Sequence, residues 1–278
     1  MKKISRRSFM AAAAVSVAAL ALTACGGSAS SAASSVASSA ASSDAASSAA
    51  TAELTTVETG KLTMATNATF PPYEMTTDSG ELEGIDVDTA KAIAEKLGLE
   101  LQIDDMDFDA ALLSVQQGKA DIVMAGVTVT DERKAVMDFS DSYATGIQSI
   151  IVPNDSDIAS PDDLAGKKIG TQRGTTGYIY CSDDFGEDSV VAYDSGLTAV
   201  QALNNGQVDA VVIDNAPATE YVAANPGLKV LDTSYAEEDY AIGMAKGSAL
   251  EDAVNKALEE LKADGTLQAI VDKYINAN

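Results

Sequence analysis

The sequence predicts an α/β protein with two similar lobes, each built on a mainly parallel sheet flanked by helices. From about residue 60 onwards, apolar runs of strand length alternate with amphipathic stretches of helix length. Residues 117–126 also align without a gap on residues 205–214, at a constant offset of 88 positions. Each half therefore follows the order β-α-β-α-β, and sheets of this kind bind ligands at the carboxyl ends of their strands.

In the first half, a strand is predicted at 61–66. The consecutive prolines at 71–72 predict an extended loop after it. Apolar positions within 87–97 share one face of a predicted helix, which ends at Gly98. The remaining elements of this half are a strand at 99–103, a helix that begins after Phe108 and ends at Gly118, and an apolar strand at 121–125.

The second half begins near Pro153 and repeats this alternation. A strand is predicted at 168–171, and a loop rich in Gly and Thr follows at 172–177. Because the loop leads into a predicted helix, its backbone N–H groups can face an anion. The remaining elements are a strand at 190–193, a helix at 197–203 and an apolar strand at 208–213 that ends in Asp214.

The first 24 residues predict a signal peptide. Four basic residues stand among the first seven, and the apolar run at 9–22 is short for a membrane-spanning helix. Residues 22–25 have the form of a lipobox, in which Cys25 is acylated and becomes the first residue of the mature chain. A plain signal peptide with a chance cysteine is the alternative. Residues 25–57 are rich in Ser and Ala and predict a flexible tether.

The composition excludes several classes of protein. The formal charge is −24, and it becomes −28 without the four basic residues of the leader, so nucleic acid and anionic lipid are repelled. The sequence has no His and two Cys. This excludes Ser-His-Asp and Cys-His catalysis and most zinc sites, and we expect neither a metal nor a cofactor. If Cys25 carries a lipid, Cys181 has no partner and is expected to be a half-buried free thiol.

Groups that suit a carboxylate follow the strand at 121–125. Gly126 offers a backbone N–H, Thr128 a hydroxyl, and Arg133 a guanidinium that binds carboxylates in a bidentate fork. Thr176, in the loop of the second half, offers another hydroxyl. The alternative is a surface loop in which Arg133 is solvated. Together these donors predict an anion site at the strand ends.

Asp214 ends the equivalent strand of the second half. A carboxylate after four apolar residues is costly unless it has a partner, although capping of the next helix would also explain it. An anion site facing a carboxylate across a cleft fits a zwitterion, and hence an α-amino acid. Asn67 and Gln172 occupy equivalent strand ends. Phe70 and Phe108 lie in loops after strands and suggest an apolar clamp, with ordinary core packing as the alternative.

The chain from about 60 to 278 resembles the family 3 solute-binding proteins, the extracellular receptors of polar amino-acid ABC importers. The stretches that carry the resemblance are ATNATFPPY at 65–73, GIDVD at 84–88, AGVTVTDERK at 125–134, DFSDSY at 138–143, GTTG at 174–177, DAVVID at 209–214 and DGT at 264–266. The resemblance covers nearly the whole globular region. It implies a two-lobe periplasmic-binding-protein-like fold of type II, with lobes at 60–142 plus 241–278 and at 148–235 and hinge crossings at 143–147 and 236–240.

The resemblance also implies roles for these residues. Arg133 takes the ligand carboxylate with help from Thr128 and Thr176, Gly126 offers its backbone, and Asp214 takes the ligand ammonium. The residues that contact or flank the ligand side chain are Asn67, Phe70, Phe108 and Gln172. The Asn67 position is often acidic in the family, so its amide departs from the usual pattern.

By this resemblance, the chain is expected to be a monomeric lipoprotein on the outer face of the cell membrane, without catalytic residues. It would capture an amino acid and deliver it to the permease of an ABC importer. The positions matched to the ligand side chain carry no Asp or Glu, and no basic residue except Arg173. This lack of charge favours a neutral ligand such as glutamine or a sulfur amino acid. The alternatives are an enzyme similar to cyclohexadienyl dehydratases and a surface adhesin or sensor.

Overall fold

The computed structural model describes residues 54–275. The predicted signal peptide, the lipidation site at Cys25 and nearly all of the predicted tether therefore lie outside the described residues. Within 54–275, no helix has the length and apolar character needed to cross a membrane.

Strands and helices alternate along the described part of the chain. The strands are β1 (Lys61–Thr66), β2 (Thr69–Phe70), β3 (Glu74–Thr76), β4 (Leu82–Glu83), β5 (Glu100–Asp105), β6 (Ile122–Val123), β7 (Met137–Phe139), β8 (Ala144–Pro153), β9 (Ile169–Gln172), β10 (Val190–Tyr193), β11 (Ala210–Asp214), β12 (Leu228–Val230), β13 (Ala236–Tyr240) and β14 (Gly243–Ala245). The α-helices are α1 (Ile85–Leu97), α2 (Phe108–Gln116), α3 (Asp131–Val136), α4 (Thr176–Phe185), α5 (Gly196–Asn204), α6 (Asn215–Ala223), α7 (Glu251–Ala263) and α8 (Thr266–Ile275).

The first large sheet has the strand order β5-β1-β6-β14-β7. Strand β1 runs parallel to both β5 and β6, whereas β14 is antiparallel to β6 and β7. Helices α1, α7 and α8 pack against one another beside this sheet. The apolar face predicted for α1 is buried there, and the helix ends at Gly98, whose φ of 70° lies in the left-handed region that favours glycine.

The second large sheet has the order β10-β9-β11-β8-β12, with β13 also paired to β8. Strand β9 is parallel to β10 and β11, and the ten-residue strand β8 is antiparallel to β11, β12 and β13. In the β8–β13 ladder, Ala144 pairs with Tyr240 and Gln148 with Ala236. The segments 143–147 and 236–240 therefore run side by side where the chain passes between the two sheets, and their action as a hinge remains a prediction.

The predicted α/β fold with two lobes is confirmed, but the sheets are mixed rather than mainly parallel. Each contains a parallel group of three strands: β5-β1-β6 in the first and β10-β9-β11 in the second. Strands β8 and β14 enter their sheets without a helical crossover, and parallel strands need such a crossover. The predicted strand at 121–125 is also shorter in the structure, where only Ile122–Val123 forms the ladder.

Candidate functional site

A pocket lies where the carboxyl ends of β1, β6, β9 and β11 meet. Its lining includes all nine residues singled out from the sequence: Asn67, Phe70, Phe108, Gly126, Thr128, Arg133, Gln172, Thr176 and Asp214. Glu74, Ala125 and Thr175 complete the lining, and the empty space is about 320 Å³. The strand-end rule therefore brings residues that are distant in sequence to one place.

Arg133 is buried at one end of the pocket, with 8% of its surface exposed. It lies on the short helix α3, whose first turn is capped by Thr130, because the Thr130 hydroxyl accepts a bond of 3.2 Å from the Arg133 N–H. The guanidinium donates to the carbonyls of Thr128 at 2.7 Å and Gly174 at 3.1 Å, and it lies 5.4 Å from the centre of the Phe108 ring. A guanidinium has five N–H groups, so these two bonds leave donors for a ligand anion.

The hydroxyls of Thr128 and Thr176 lie 3.4 Å apart in the pocket lining; Thr128 follows β6 in the chain and Thr176 opens α4. The Thr128 hydroxyl donates to the carboxylate of Glu238 at 3.1 Å. Gln148 donates to the same Glu238 oxygen at 3.0 Å. Glu238, on β13, is therefore a buried acceptor behind the anion end of the pocket, and it was not expected from the sequence.

Gly126 differs from expectation in one respect. Its backbone N–H donates to the Asp86 carboxylate at 3.0 Å, so it is already used within the protein and its carbonyl is the backbone group left for a ligand. The residue must also be glycine. Its φ is 56°, and a Cβ built there would lie 2.7 Å from an edge carbon of the Phe70 ring.

Asp214 ends β11, lines the pocket and is buried. Gln148 donates to one carboxylate oxygen at 2.9 Å, and the Tyr240 hydroxyl donates to the other. The side chain makes no capping bond to α6, so helix capping does not explain this residue. Burial and, after it, the negative charge of Glu238 raise the pKa of Asp214 to about 7. A cation beside this carboxyl would stabilise its charged form.

The remaining walls combine amides and aromatic rings. The Gln172 amide donates to the Asn67 side-chain oxygen at 2.9 Å and so joins β9 to the loop after β1. Asn67 in turn donates to the Met106 carbonyl at 2.8 Å. Phe70 and Phe108 are both buried in the wall, as expected for an apolar clamp on a ligand side chain.

Glu74 lines the pocket but was not predicted from the sequence to do so. This residue is fully buried in the wall, and neither of its carboxylate oxygens has a hydrogen-bond donor among residues 54–275. The positions matched by the resemblance to the ligand side chain carry no Asp or Glu, but the pocket lining does contain this acidic side chain. A detectable signal was present, because Glu74 follows the turn formed by Pro71, Pro72 and Tyr73 and precedes an apolar Met75.

Cys181 lies away from this pocket. It is a free, fully buried thiol, and burial raises its pKa to about 12. Among the described residues, no group of three or more His, Cys, Asp or Glu side chains is arranged to hold a metal ion.

Known proteins resemble this chain over the whole region that forms the pocket. The family described as bacterial extracellular solute-binding proteins, family 3, matches residues 62–277. The L-cystine-binding protein TcyJ of Escherichia coli K12 is 34% identical over 225 residues, which are 80% of this chain and 85% of the relative. The arginine-binding extracellular protein ArtP of Bacillus subtilis is 34% identical over 77% of this chain and 86% of its own length.

Solved structures show the same likeness. An ancestral arginine-binding protein, determined once with glutamine and once with arginine, is 44% identical and superposes with a TM-score of 0.74, covering 78% of this chain and 98% of that one. The arginine-, lysine-, histidine-binding protein ArtJ of Geobacillus stearothermophilus is 34% identical with a TM-score of 0.75, over 78% and 96% of the two chains.

Proposed function

The chain belongs to the family 3 bacterial extracellular solute-binding proteins, and on that premise we propose that its pocket binds an α-amino acid by both charged ends. The family and the relatives above are transport-associated binding proteins, so the chain is a solute-binding protein of the amino-acid ABC importer class and not an enzyme. This makes a dehydratase similar to the cyclohexadienyl enzymes the weaker alternative. An adhesin or sensor with the same fold would still bind an amino acid.

The observation that carries this proposal is a buried guanidinium and a buried carboxyl in one small pocket. Arg133 and Asp214 are both removed from water, and a buried charge is costly unless an opposite charge accompanies it. The carboxylate of an α-amino acid would accept from Arg133 and from the Thr176 hydroxyl. Its ammonium would donate to Asp214 and to the Gly126 carbonyl. One zwitterion thus compensates both charges of the pocket.

The ligand side chain is expected to carry N–H donors. Neither carboxyl oxygen of Glu74 receives a hydrogen bond from the described residues, and an acceptor in the wall that is left without a donor after ligand burial would weaken binding. Glutamine, the neutral ligand favoured by the sequence, supplies such donors, and arginine supplies them with a positive charge. The methionine side chain carries none, so methionine fits less well. The distal half of cystine carries an ammonium, but it brings a second carboxylate with it. Glutamate would add a second carboxylate beside Glu74.

A thermal-shift screen of the purified full chain against the twenty amino acids and cystine tests the proposal. Ligand at about 100 times its Kd stabilises the folded state by about 2.7 kcal/mol. We expect a clear rise in Tm with glutamine or arginine and none with glutamate. Arg133→Ala should abolish the rise. The matched control is Arg173→Ala, because Arg173 is an exposed arginine that pairs with Asp194 at the surface, and its loss should leave the rise in Tm intact. A screen without any response contradicts the proposal.

We also propose that Cys25 is acylated and that residues 25–57 tether a monomeric binding unit to the outer face of the cell membrane, beside a permease. The support is the lipobox at 22–25 and the Ser- and Ala-rich stretch that follows it. Cell fractionation tests the anchor. The wild-type chain should sediment with membranes, whereas Cys25→Ser should appear in the soluble fraction, and equal distribution of the two would contradict it.

A further inference from the structure

We infer that Asp86 shares one proton with Glu74 and thereby determines how the pocket discriminates between cationic and neutral ligand side chains. In the free pocket, Glu74 holds this proton and donates it to Asp86. A ligand with a cationic side chain displaces the proton, whereas a neutral ligand leaves it in place. This inference rests on the proposed amino-acid site and adds a residue that does not line the pocket.

The bonds of Asp86 show which carboxyl is ionised. Asp86, in the first turn of α1, is fully buried and accepts from the Tyr143 hydroxyl at 2.7 Å and from the Gly126 N–H at 3.0 Å. Both of its oxygens are thus acceptors. The Asp86 N–H donates to the carbonyl of Tyr73 at 2.9 Å, which places Asp86 next to Glu74, and Glu74 receives no bond from any N–H or O–H of the described residues. Two carboxyls in contact form a hydrogen bond only if one carries a proton, and Glu74 is the one without competing donors.

The surroundings also favour a shared proton. Burial and, after it, the charge of Asp86 raise the pKa of Glu74 well above its usual range. Burial raises the pKa of Asp86 to about 6, although its bonds from Gly126 and Tyr143 oppose the rise. The ionisable groups that interact electrostatically with the pair are acidic or phenolic: Asp105, Asp214, Tyr73, Tyr143 and Tyr221. Arg133, the cation of the pocket, is tied to the carbonyls of Thr128 and Gly174 at the anion end.

The two ligand classes should therefore differ in their proton balance. The amide of glutamine donates to an oxygen of the protonated Glu74, and the pair keeps its proton. The guanidinium of arginine favours the ionised form of Glu74, so binding releases the proton to solvent. Arginine must then bind more tightly as pH rises, by up to about tenfold per pH unit while the proton is lost on binding. Asp214 meets the same ammonium in both ligands, so its own proton change cancels in the comparison.

Calorimetric titrations of the full chain test this inference. Arginine and glutamine are titrated at pH 7 in phosphate and in Tris, whose different ionisation enthalpies report the protons released, and affinities are compared from pH 6 to 9. We expect arginine to release up to one proton more than glutamine. Citrulline, the neutral isostere of arginine, should behave as glutamine does and replaces it if glutamine does not bind. Glu74→Gln should remove the difference and weaken arginine more than glutamine.

Variants of Asp86 and of its partner Tyr143 distinguish proton sharing by Asp86 from a role in packing alone. In Asp86→Asn, the neighbouring charge that helps to keep Glu74 protonated is removed, so the extra proton release at pH 7 should fall and the arginine preference should persist to lower pH than in the wild-type chain. If this variant does not fold, Tyr143→Phe retains both carboxyls while removing one donor from Asp86. Without that donor, the carboxyl pair holds its shared proton more tightly, so the arginine-to-glutamine affinity ratio should fall several-fold at pH 7. Asp121→Asn is the control, because Asp121 is a buried carboxylate that accepts backbone bonds from Val57 and Thr63.

Two outcomes overturn the inference. One is equal proton release by arginine and its neutral counterpart in the wild-type chain, and the other is rejection of arginine at every pH from 6 to 9. In either case the amino-acid site stands as long as some amino acid binds. If no amino acid binds, it is the proposed function that fails.

Discussion

At the scale of single residues, the pocket contains charged side chains whose burial is costly. It also contains one backbone position that only glycine can occupy without strain. Gly126 is that position, because it has positive φ and the Phe70 ring lies against its α-carbon. Its N–H also donates to Asp86, and the residue lines the pocket. A single added methyl group should therefore disturb three functions of one residue.

Gly126→Ala should destabilise the fold by about 2 kcal/mol or more and weaken ligand binding. Alanine at positive φ costs about 1 kcal/mol, and displacement of the Phe70 ring adds to this. Urea unfolding and calorimetric titration measure the two effects. Gly118→Ala is the control, because its φ of 65° gives similar backbone strain while a Cβ there meets no atom within 4 Å. Equal losses in the two variants would show that contact with Phe70 is unimportant.

The residues of the pocket differ in how far the sequence could predict them. The nine expected residues follow strands or open helices, and strand ends of an α/β sheet meet in space, so order along the chain was sufficient. Glu238 could not be found in this way. It stands in an acidic run with Glu237 and Asp239 that is typical of a solvated surface. Only the pairing of β13 with β8 turns the middle carboxylate inward, between two exposed neighbours.

At the scale of elements, the six-residue helix α3 positions the most important cation. A helix this short gains little from its own hydrogen bonds, so its cap and its packing hold it in place. Thr130 provides the cap by accepting the N–H of Arg133, the residue whose side chain reaches the pocket. Local stability and ligand binding are therefore coupled through one backbone bond.

Thr130→Ala should lower the free energy of unfolding by about 1 kcal/mol, the typical loss for an N-cap, and it should also weaken amino-acid binding. The second effect follows because a frayed α3 no longer fixes the guanidinium. Ser195→Ala removes the equivalent cap of α5, away from the pocket lining, and should lower stability without changing affinity. Unfolding curves and titrations of both variants measure these changes. Unchanged affinity in Thr130→Ala would mean that α3 is held by packing alone.

Elements were predicted well where a local signal marks them. The helices that end at Gly98 and Gly118 and the strands before Gly126 and Asp214 are present close to their expected positions. The direction of β8 and β14 was not predictable from periodicity, since apolar alternation is the same in parallel and antiparallel strands. Direction depends on which neighbouring strand the chain meets after it crosses between sheets, and that is a property of the whole fold.

At the scale of the whole molecule, the two large sheets and the small third sheet β2-β3-β4 are joined by contacts both inside and outside the pocket. Inside, Gln172 bonds Asn67 and Arg133 bonds the Gly174 carbonyl. Outside the pocket lining, the hydroxyl of Tyr221 on α6 donates to the Thr69 carbonyl of β2. If the lobes close on a ligand, such a bond would contribute to the closed form without touching the ligand. If the β8 and β13 crossings act as a hinge, ligand affinity includes the free energy of closing the lobes.

Removal of this remote bond should therefore weaken ligand binding. Tyr221→Phe keeps the ring and deletes one hydrogen bond, worth about 1 kcal/mol, so affinity should fall about fivefold, mainly through faster dissociation because the open form is favoured. Tyr274→Phe is the matched control: its hydroxyl bonds Asp88 on α1, beside the first sheet, and affinity should not change. Stopped-flow dissociation measures the rates, and small-angle X-ray scattering should show a smaller radius of gyration with ligand in the wild-type chain. Equal rates for the two variants, with no ligand-dependent compaction, would mean that the lobes do not close around the amino acid.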